Sequence, residues 1–247
     1  MIFHRTIGCV LRRRDYSETS SIAAVYTRDH GKIRVLAKGA RRKKSDFLGL
    51  LEPLSLLEIV FIERRSGLHI LKEASLLVPN LGLRQNLSKI AHGLNLLSLI
   101  DQTQPDEDAD PDVFDLLVSG LSALADVSVP QNVGFAFQAH LLHFFGKLPR
   151  LNACARCGRP FGSAALLRVQ SGAPLCRSCG NPGDYPLLPG TLGALRRLAE
   201  IPLSRCGRIR LSNEQRAEIS HILSAMLRTA IEADIPSQSV IHSLLGT

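Results

Sequence analysis

The chain has 247 residues, of which 45% are hydrophobic, so it can build one large domain or two to three smaller ones. No apolar run approaches the roughly 18 residues of a membrane-spanning helix, and Arg12, Arg13 and Arg14 follow the first apolar stretch, which is not the layout of a secretory signal. The net charge of +8 is concentrated in residues 1–78, with 15 Lys+Arg against 8 Asp+Glu, and favours nucleic acid over an anionic membrane surface because no amphipathic basic helix is evident.

Short segments of alternating apolar and polar residues predict about five β-strands in the first third of the chain. They cover residues 5–13, 22–27, 32–37, 54–63 and 68–74. In the third segment one face is apolar and the other is cationic; the residues of the two faces are Ile33, Val35 and Ala37, and Lys32, Arg34 and Lys38. Five short strands joined by tight turns predict a small barrel, with an OB-fold as the best-known architecture and an SH3-like barrel as the alternative.

Basic residues cluster along this predicted barrel. Guanidinium and ammonium groups at this density suit a phosphate backbone and carry no base code. Because aromatic residues are few here (Tyr16, Tyr26, Phe47 and Phe61, most of which we expect in the core), binding should be mostly electrostatic and sensitive to salt. The candidate nucleic-acid-binding residues are Arg12, Arg13, Arg14, Arg28, Lys32, Arg34, Lys38, Arg41, Arg42, Lys43 and Lys44.

From residue 79 onward the apolar spacing changes to three and four, which predicts helices. We expect helices over residues 83–100, 113–125, 131–147 and 190–200, another that starts at Ser212 with a capping box, and a last short one after Pro236. The acidic segment between the first two, residues 101–112, lacks the glycine and the terminal glutamate of an EF-hand and is predicted to be a solvated loop. The fold class is therefore α+β, with a barrel over residues 1–78 and a helical domain over residues 79–247.

A four-cysteine module, at about residues 150–185, is inserted in the helical domain. Cys154 and Cys157 form one C-x-x-C pair, Cys176 and Cys179 form another, and eighteen residues separate the pairs. This spacing predicts a tetrahedral zinc site that is structural, because four thiolates leave no open position for a substrate or an activated water. Disulfides, other thiol chemistry and a catalytic metal are the alternatives. Gly158 and Gly180 follow the two pairs, where a knuckle turn often requires a positive φ.

The sequence contains no motif that nominates an active site. It has no phosphate-binding G-x-x-x-x-G-K-[ST] loop, no H-E-x-x-H, no G-x-S-x-G and no G-x-G-x-x-G. The carboxylates are scattered or confined to the acidic segment, so no pair of them is singled out for acid–base work. We therefore predict a binding protein and not an enzyme.

The chain resembles the zinc-containing branch of the RecO family of recombination mediators. The runs that carry the resemblance are Tyr16-Ser17-Glu18-Thr19-Ser20, Tyr26-Thr27, Gly31-Lys32-Ile33-Arg34, Ala37-Lys38-Gly39-Ala40-Arg41, Leu51-Glu52-Pro53-Leu54 and, before the cysteines, Phe144-Phe145-Gly146-Lys147-Leu148-Pro149. The resemblance covers essentially the whole chain. In the amino-terminal part the match is specific in residue identities, whereas in the helical part it lies more in the order of the secondary-structure elements.

Cys9 and Cys206 have no obvious partner, and unpaired thiols together with a zinc site fit a reducing cytoplasm. The resemblance implies a non-enzymatic protein of DNA repair and recombination that is associated with the nucleoid. Such a protein binds single- and double-stranded DNA, anneals complementary strands and, with RecR, helps load the RecA recombinase onto DNA coated by single-stranded-DNA-binding protein. It also implies a pocket in the helical domain for the acidic, apolar tail of that coating protein, for which Phe137, Leu141, Phe144 and Lys147 are candidates. The alternative is an RNA-binding or ribosome-associated protein, because OB-folds and zinc ribbons both occur there.

Overall fold

The structure, a computed structural model, describes residues 2–161 and 164–231. Within these residues the chain forms two compact units, one up to Ala125 and the other from Asp126 onward. The predicted division into domains at residues 78 and 79 stays a prediction, and the short helix predicted after Pro236 lies outside the described residues.

The first unit is built on a closed five-stranded barrel. Its strands are β1 (Phe3–Asp15), β2 (Ser21–Thr27), β3 (Gly31–Ala37), β4 (Leu56–Ile62) and β5 (Leu68–Val78). They follow one another around the barrel in the order β1-β2-β3-β5-β4, and β3 pairs with β5 in parallel while every other pair is antiparallel. Five strands closed in this way confirm the predicted OB-like barrel.

The barrel interior is filled by the apolar face of each strand, as the alternation predicts. On β3 the odd-numbered positions are buried and Arg34 is exposed, so the apolar and cationic faces fall as expected. A bulge between Val10 and Arg12 shifts the register of β1 against β2 at the point where the arginine run begins. The main interior side chains are Val10, Ala23, Val25, Ile33, Val35, Leu57, Ile59, Phe61 and Leu71.

Three helices complete the first unit: α1 (Leu81–Arg84), α2 (Leu87–Thr103) and α3 (Pro111–Asp126). The single helix predicted over residues 83–100 is broken before Asn86, whose side chain accepts a hydrogen bond from the backbone N–H of Lys89 and so caps α2. Tyr26 on β2 points outward but is fully buried, because its ring contacts Phe114 of α3 at a centroid distance of 6.0 Å. The helices therefore cover part of the outer barrel wall.

The second unit contains α4 (Pro130–Phe144), α5 (Thr191–Glu200), a short 3₁₀ helix (Leu203–Arg208) and α6 (Asn213–Ile231). A small sheet of β6 (Ala165–Arg168), β7 (Ala173–Cys176) and β8 (Tyr185–Pro186) lies between α4 and α5 in sequence, with β6 in the middle. The capping box at Ser212 is confirmed, because Ser212 Oγ accepts from the N–H of Gln215 and Gln215 Oε1 accepts from the N–H of Ser212.

A buried carboxylate joins α6 to the chain before α5. Glu218 is only 7% exposed and accepts hydrogen bonds from the backbone N–H of Leu188, at 3.0 and 3.1 Å, and from the hydroxyl of Thr191 at 2.6 Å. A buried carboxylate needs such donors, because an unsatisfied charge would be costly there.

Across the described residues, none of the helices combines the length and the apolar character required to traverse a lipid bilayer.

The buried His92 of α2 predicts how stability depends on pH. Burial lowers the pKa of its imidazole to about 4, whereas an unfolded chain has a histidine pKa of about 6.5. As the pH falls below about 6.5, the unfolded state binds this proton first, so stability is lost progressively down to about pH 4, by roughly 2–3 kcal/mol for this group. We expect a shallower pH dependence in His92→Gln than in the wild type, measured by urea unfolding between about pH 7 and pH 4.5.

The matched control is Asn95→Ala, because Asn95 is a buried side chain of the same helix that does not titrate. That variant should keep the wild-type pH dependence. Parallel curves for the wild type and His92→Gln would show that His92 is not the group responsible.

Candidate nucleic-acid interface and metal site

The first candidate site is an arginine-rich cleft on the outer wall of β1, β2 and β3. Arg12 is paired with Ala24, and Ala24 is paired with Arg34, so the two arginines share one face of the sheet on either side of a small residue. The cleft above Ala24 has a volume of about 330 Å³. Arg12, Arg13, Arg14 and Arg34 line it, together with Ile22 and Ala24.

The acidic segment (residues 101–112) packs against this wall. Arg12 Nε lies 2.7 Å from Asp101 Oδ2, and Lys32 Nζ lies 3.4 Å from Asp106 Oδ1 and donates a 2.6 Å hydrogen bond to the Asp101 carbonyl. Arg34 is 3.8 Å from Asp106. The N–H of Glu107 also donates to the carbonyl of Lys32. Asp101 and Asp106 are therefore paired with the cationic face of the barrel, while residues 105–109 are exposed, as expected of a solvated loop.

Three further candidate cations also have acidic partners. Arg28 is 2.9 Å from Asp115, Arg13 is 2.8 Å from Glu52, and Arg41 is 3.3 Å from Asp15. Exposed pairs of this kind contribute little to stability, but they reduce the positive potential that a phosphate would meet. Lys32 is the least accessible candidate, since only 13% of its side chain is exposed.

The remaining candidates are exposed and have no carboxylate partner among residues 2–161 and 164–231. We call them the free cations: Arg14, Lys38, Arg42, Lys43 and Lys44. Asp15 is paired with Ser21, and Ser21 is paired with Ala37, so Arg14 and the segment that begins at Lys38 lie at the same end of the barrel. This arrangement leaves uncompensated positive charge at one end of the barrel.

The β3–β4 connection that carries most of the free cations is held to the β1–β2 loop by Arg41. The Arg41 N–H donates to the carbonyl of Thr19 at 3.0 Å, and its guanidinium donates to the carbonyl of Ser17 at 2.9 Å. Gly39 turns the chain with φ of 74°, a conformation that favours glycine. The two loops therefore form one surface, in which Arg41 is a tether and its neighbours are available to a ligand.

Two further cations, Arg64 and Arg65, were not among the predicted site residues. They are exposed in the turn between β4 and β5 and have no carboxylate partner in the part of the chain that the structure describes. The signal in the sequence that could have identified them is the pair of adjacent arginines between two predicted strands. The Cβ position of Gly67 in the same turn is 3.5 Å from Arg34 Nη2. The turn thus lies near the β3 wall.

The second candidate site is the cysteine cluster of the second unit. The Sγ atoms of Cys154, Cys157, Cys176 and Cys179 all lie within 4.8 Å of one another. The Sγ atoms of Cys157 and Cys176 are 3.8 Å apart, and a tetrahedron with metal–sulfur bonds of about 2.3 Å has an edge of about 3.8 Å. The donor set and the spacing fit a metal ion.

Two tight turns position these thiols. The N–H of Gly158 donates to the carbonyl of Cys154, and the N–H of Gly180 donates to the carbonyl of Cys176. Gly158 has the positive φ that was expected, 71°. Gly180 does not; a Cβ there would lie 2.2 Å from Leu166 Cδ1, so close packing against β6 explains the glycine.

The electrostatics of the cluster favour a cation. Burial opposes ionisation of Cys154, but hydrogen bonds from the backbone at Cys176, Cys157 and Arg156 lower the pKa of its thiol to about 6. Hydrogen bonds from Arg159 lower the pKa of Cys157. The side-chain hydrogen bond with Cys176, together with burial, raises the pKa of Cys179 to about 12. Thiolates therefore crowd one another here, and a bound dication would allow all of them to ionise.

The four residues proposed for a partner-tail pocket are not brought together at the surface. Phe137 and Leu141 are fully buried on α4, whereas Phe144 is 46% exposed and Lys147 is exposed just beyond the helix. The buried pair packs in the core of the second unit, because α4 is buried on nearly all sides from Asn132 to Ala139. Only Phe144 and Lys147 are available to a partner.

Two protein-family models match the chain. The model described as "Recombination protein O N terminal" matches residues 1–80, and the model described as "Recombination protein O C terminal" matches residues 84–239. The first match covers the barrel, and the second covers the helices and the cysteine cluster.

Curated relatives are similar over most of their length. A protein of Anaeromyxobacter dehalogenans is 36% identical over 89% of this chain and 88% of its own, and one of Geobacter sulfurreducens is 33% identical over 97% and 98%. A protein of Bacillus subtilis is 29% identical over 87% of this chain and 85% of its own. Each of the three is named "DNA repair protein RecO".

The geometry of the cysteine cluster predicts the effect of removing one thiol. We expect the wild type to hold one divalent metal ion per chain, measured by plasma emission spectrometry after gel filtration. Cys176→Ser should lose most of that metal and lower the free energy of unfolding of the second unit by more than about 3 kcal/mol, because metal binding there is coupled to folding.

Ser178→Ala, in the same turn as Cys176 and exposed, is the matched control and should keep both metal and stability. A metal-free wild type with the same stability as Cys176→Ser would contradict the assignment of the cluster as a metal site.

Proposed function

The chain belongs to the RecO family of DNA repair proteins, and on that premise we propose that it is a non-enzymatic recombination mediator that binds single- and double-stranded DNA. The observation that carries this proposal is the group of free cations at one end of an OB-like barrel. Cations that are not already paired with carboxylates are the ones that can replace the counterions of a phosphate backbone.

Annealing of complementary strands follows from the same charges. Two strands repel each other through their phosphates, and neutralisation of one strand lowers the electrostatic work of bringing the second strand close. This step requires neither a nucleophile nor an acid–base pair. It agrees with a sequence in which no catalytic motif was found.

We propose that RecR is a partner and that the two proteins help load RecA onto DNA coated by single-stranded-DNA-binding protein. A grip on the acidic, apolar tail of the coating protein would raise the local concentration of the mediator at coated DNA. Phe144 and Lys147 support this proposal, because an exposed aromatic ring and an ammonium group at one end of α4 suit an apolar, acidic peptide.

We propose that the metal of the cysteine cluster is zinc and that its role is structural. Cys154, Cys157, Cys176 and Cys179 would hold it, and a site closed by four thiolates leaves no position for a substrate. Zinc would then join the turn at Cys154–Gly158, which precedes β6, to the turn at Cys176–Gly180, which follows β7, and so stabilise the small sheet. The cytoplasm, with an association to the nucleoid, is the location that suits free thiols and DNA binding together.

The salt dependence of DNA binding tests the role of the free cations. We expect the triple variant Arg42→Ala, Lys43→Ala, Lys44→Ala to bind single-stranded DNA more weakly than the wild type. The slope of log K against log[salt] should become less steep by about 2, since each phosphate contact on a single strand contributes about 0.7. Fluorescence anisotropy with a labelled oligonucleotide measures both quantities.

The matched control removes the same charge from the second unit: Arg205→Ala, Arg208→Ala, Arg210→Ala, all exposed. It should leave the slope almost unchanged. Equal losses of slope in the two triple variants would refute a localised site on the barrel.

Strand annealing tests the mediator function itself. We expect the protein to accelerate annealing of complementary oligonucleotides coated by the cognate single-stranded-DNA-binding protein, without any nucleotide cofactor. The barrel triple variant should anneal more slowly, because fewer phosphates are neutralised. Tighter binding to RNA than to DNA of the same sequence, with no annealing, would instead favour the RNA-binding alternative.

A further inference from the structure

Tyr16 is the exposed aromatic residue at the cationic end of the barrel. Among the aromatic residues considered for stacking, Tyr26 and Phe61 are buried at 0% and 2% exposure, and Phe47 packs against the barrel core. Tyr16 is 59% exposed, and its hydroxyl has no hydrogen-bond partner in the described part of the chain. Phe3 is also exposed, but it lies at the opposite end of β1 from Asp15 and Tyr16.

The loop that carries Tyr16 is tightly structured. The N–H of Tyr16 donates to the carbonyl of Ser20 at 3.0 Å, and the N–H of Ser20 donates to the hydroxyl of Ser17 at 3.2 Å. Arg41 binds the same loop through the carbonyls of Ser17 and Thr19. Hydrogen bonds on both sides of the aromatic residue reduce the conformational entropy that a ligand would have to remove on binding.

Free cations flank this ring in the chain and across the loop. Arg14 precedes Tyr16 by two residues on β1, and Arg41, which contacts the Tyr16 loop, is followed directly by Arg42, Lys43 and Lys44. An exposed aromatic ring beside such cations is the combination by which proteins bind single strands: cations follow the backbone and the ring stacks on a base.

We propose that Tyr16 stacks on an unpaired base of single-stranded DNA and gives the barrel a preference for single strands over duplex. This inference rests on the proposed DNA binding and assigns a residue that phosphate contacts alone do not require. Phosphates are available in both forms of DNA, whereas the face of a base is available only where the base has left the duplex stack. The ring therefore contributes binding energy to single-stranded DNA that it does not contribute to duplex DNA.

The direct test uses the absence of tryptophan from this sequence. Tyr16→Trp would introduce a single indole at the proposed contact, so its fluorescence reports on this position alone. We expect the fluorescence to be quenched by oligo(dT), and we expect no quenching by an abasic oligonucleotide of the same length at a concentration that saturates binding. Equal quenching by both oligonucleotides, or none by either, would overturn the proposal.

Affinity measurements supply the second readout. Tyr16→Ala should bind oligo(dT) about tenfold more weakly than the wild type, which is the usual range for one stacked base. Its affinity for duplex and for the abasic oligonucleotide should change less than twofold. Tyr16→Phe keeps the ring and should restore wild-type binding to oligo(dT).

The outcomes separate this proposal from the proposed function. A Tyr16→Ala variant that loses single-strand and duplex affinity to the same extent, or loses neither, overturns the stacking role and leaves DNA binding intact. A wild-type protein that binds no DNA at low salt overturns both. The triple variant Arg42→Ala, Lys43→Ala, Lys44→Ala should lose affinity for the abasic oligonucleotide as well, so the two contributions can be measured independently.

Discussion

The pairing of the acidic segment with one wall of the barrel determines where positive charge remains. Asp101 and Asp106 neutralise Arg12, Lys32 and Arg34 on the outer face of β1 and β3. The free cations, on β1 and in the β3–β4 connection, then have no carboxylate within the described ranges that competes with a phosphate for them. A chain with a net charge of +8 could spread its field over the whole surface, but these ion pairs weaken the field on this wall. Unpaired cations remain at the two ends of the barrel, the free cations at one end and Arg64 and Arg65 in the β4–β5 turn.

Local patterns in the sequence were sufficient to predict the elements that each depend on near neighbours. The alternation in β3, the capping box at Ser212 and the two C-x-x-C pairs are all determined within a few residues, and the structure contains each of them. The closed barrel was also predicted, because five short strands with one apolar face have few ways to cover that face.

Most of what the sequence did not predict depends on contacts between distant residues. The bridge between Lys32 and Asp106 forms only because the chain returns to the barrel after α2, and no periodicity signals that return. The burial of Phe137 and Leu141 has the same origin: α4 is apolar around most of its circumference, so composition alone could not tell which face is exposed. The break before Asn86 is a local effect: the Asn86 side chain caps α2, so a new helix begins there although the apolar stripe in the sequence is continuous.

Gly31 connects a local turn to this long-range arrangement. Its φ of 63° suits the turn between β2 and β3, and a Cβ at this position would lie 2.1 Å from the carbonyl oxygen of Asp108. Any side chain larger than hydrogen would have to push the acidic segment outward. The missing side chain at this hairpin position lets the acidic segment approach β3, where Asp106 pairs with Lys32 and Arg34. A residue change in a turn could therefore alter the surface charge of the barrel without changing any charged residue.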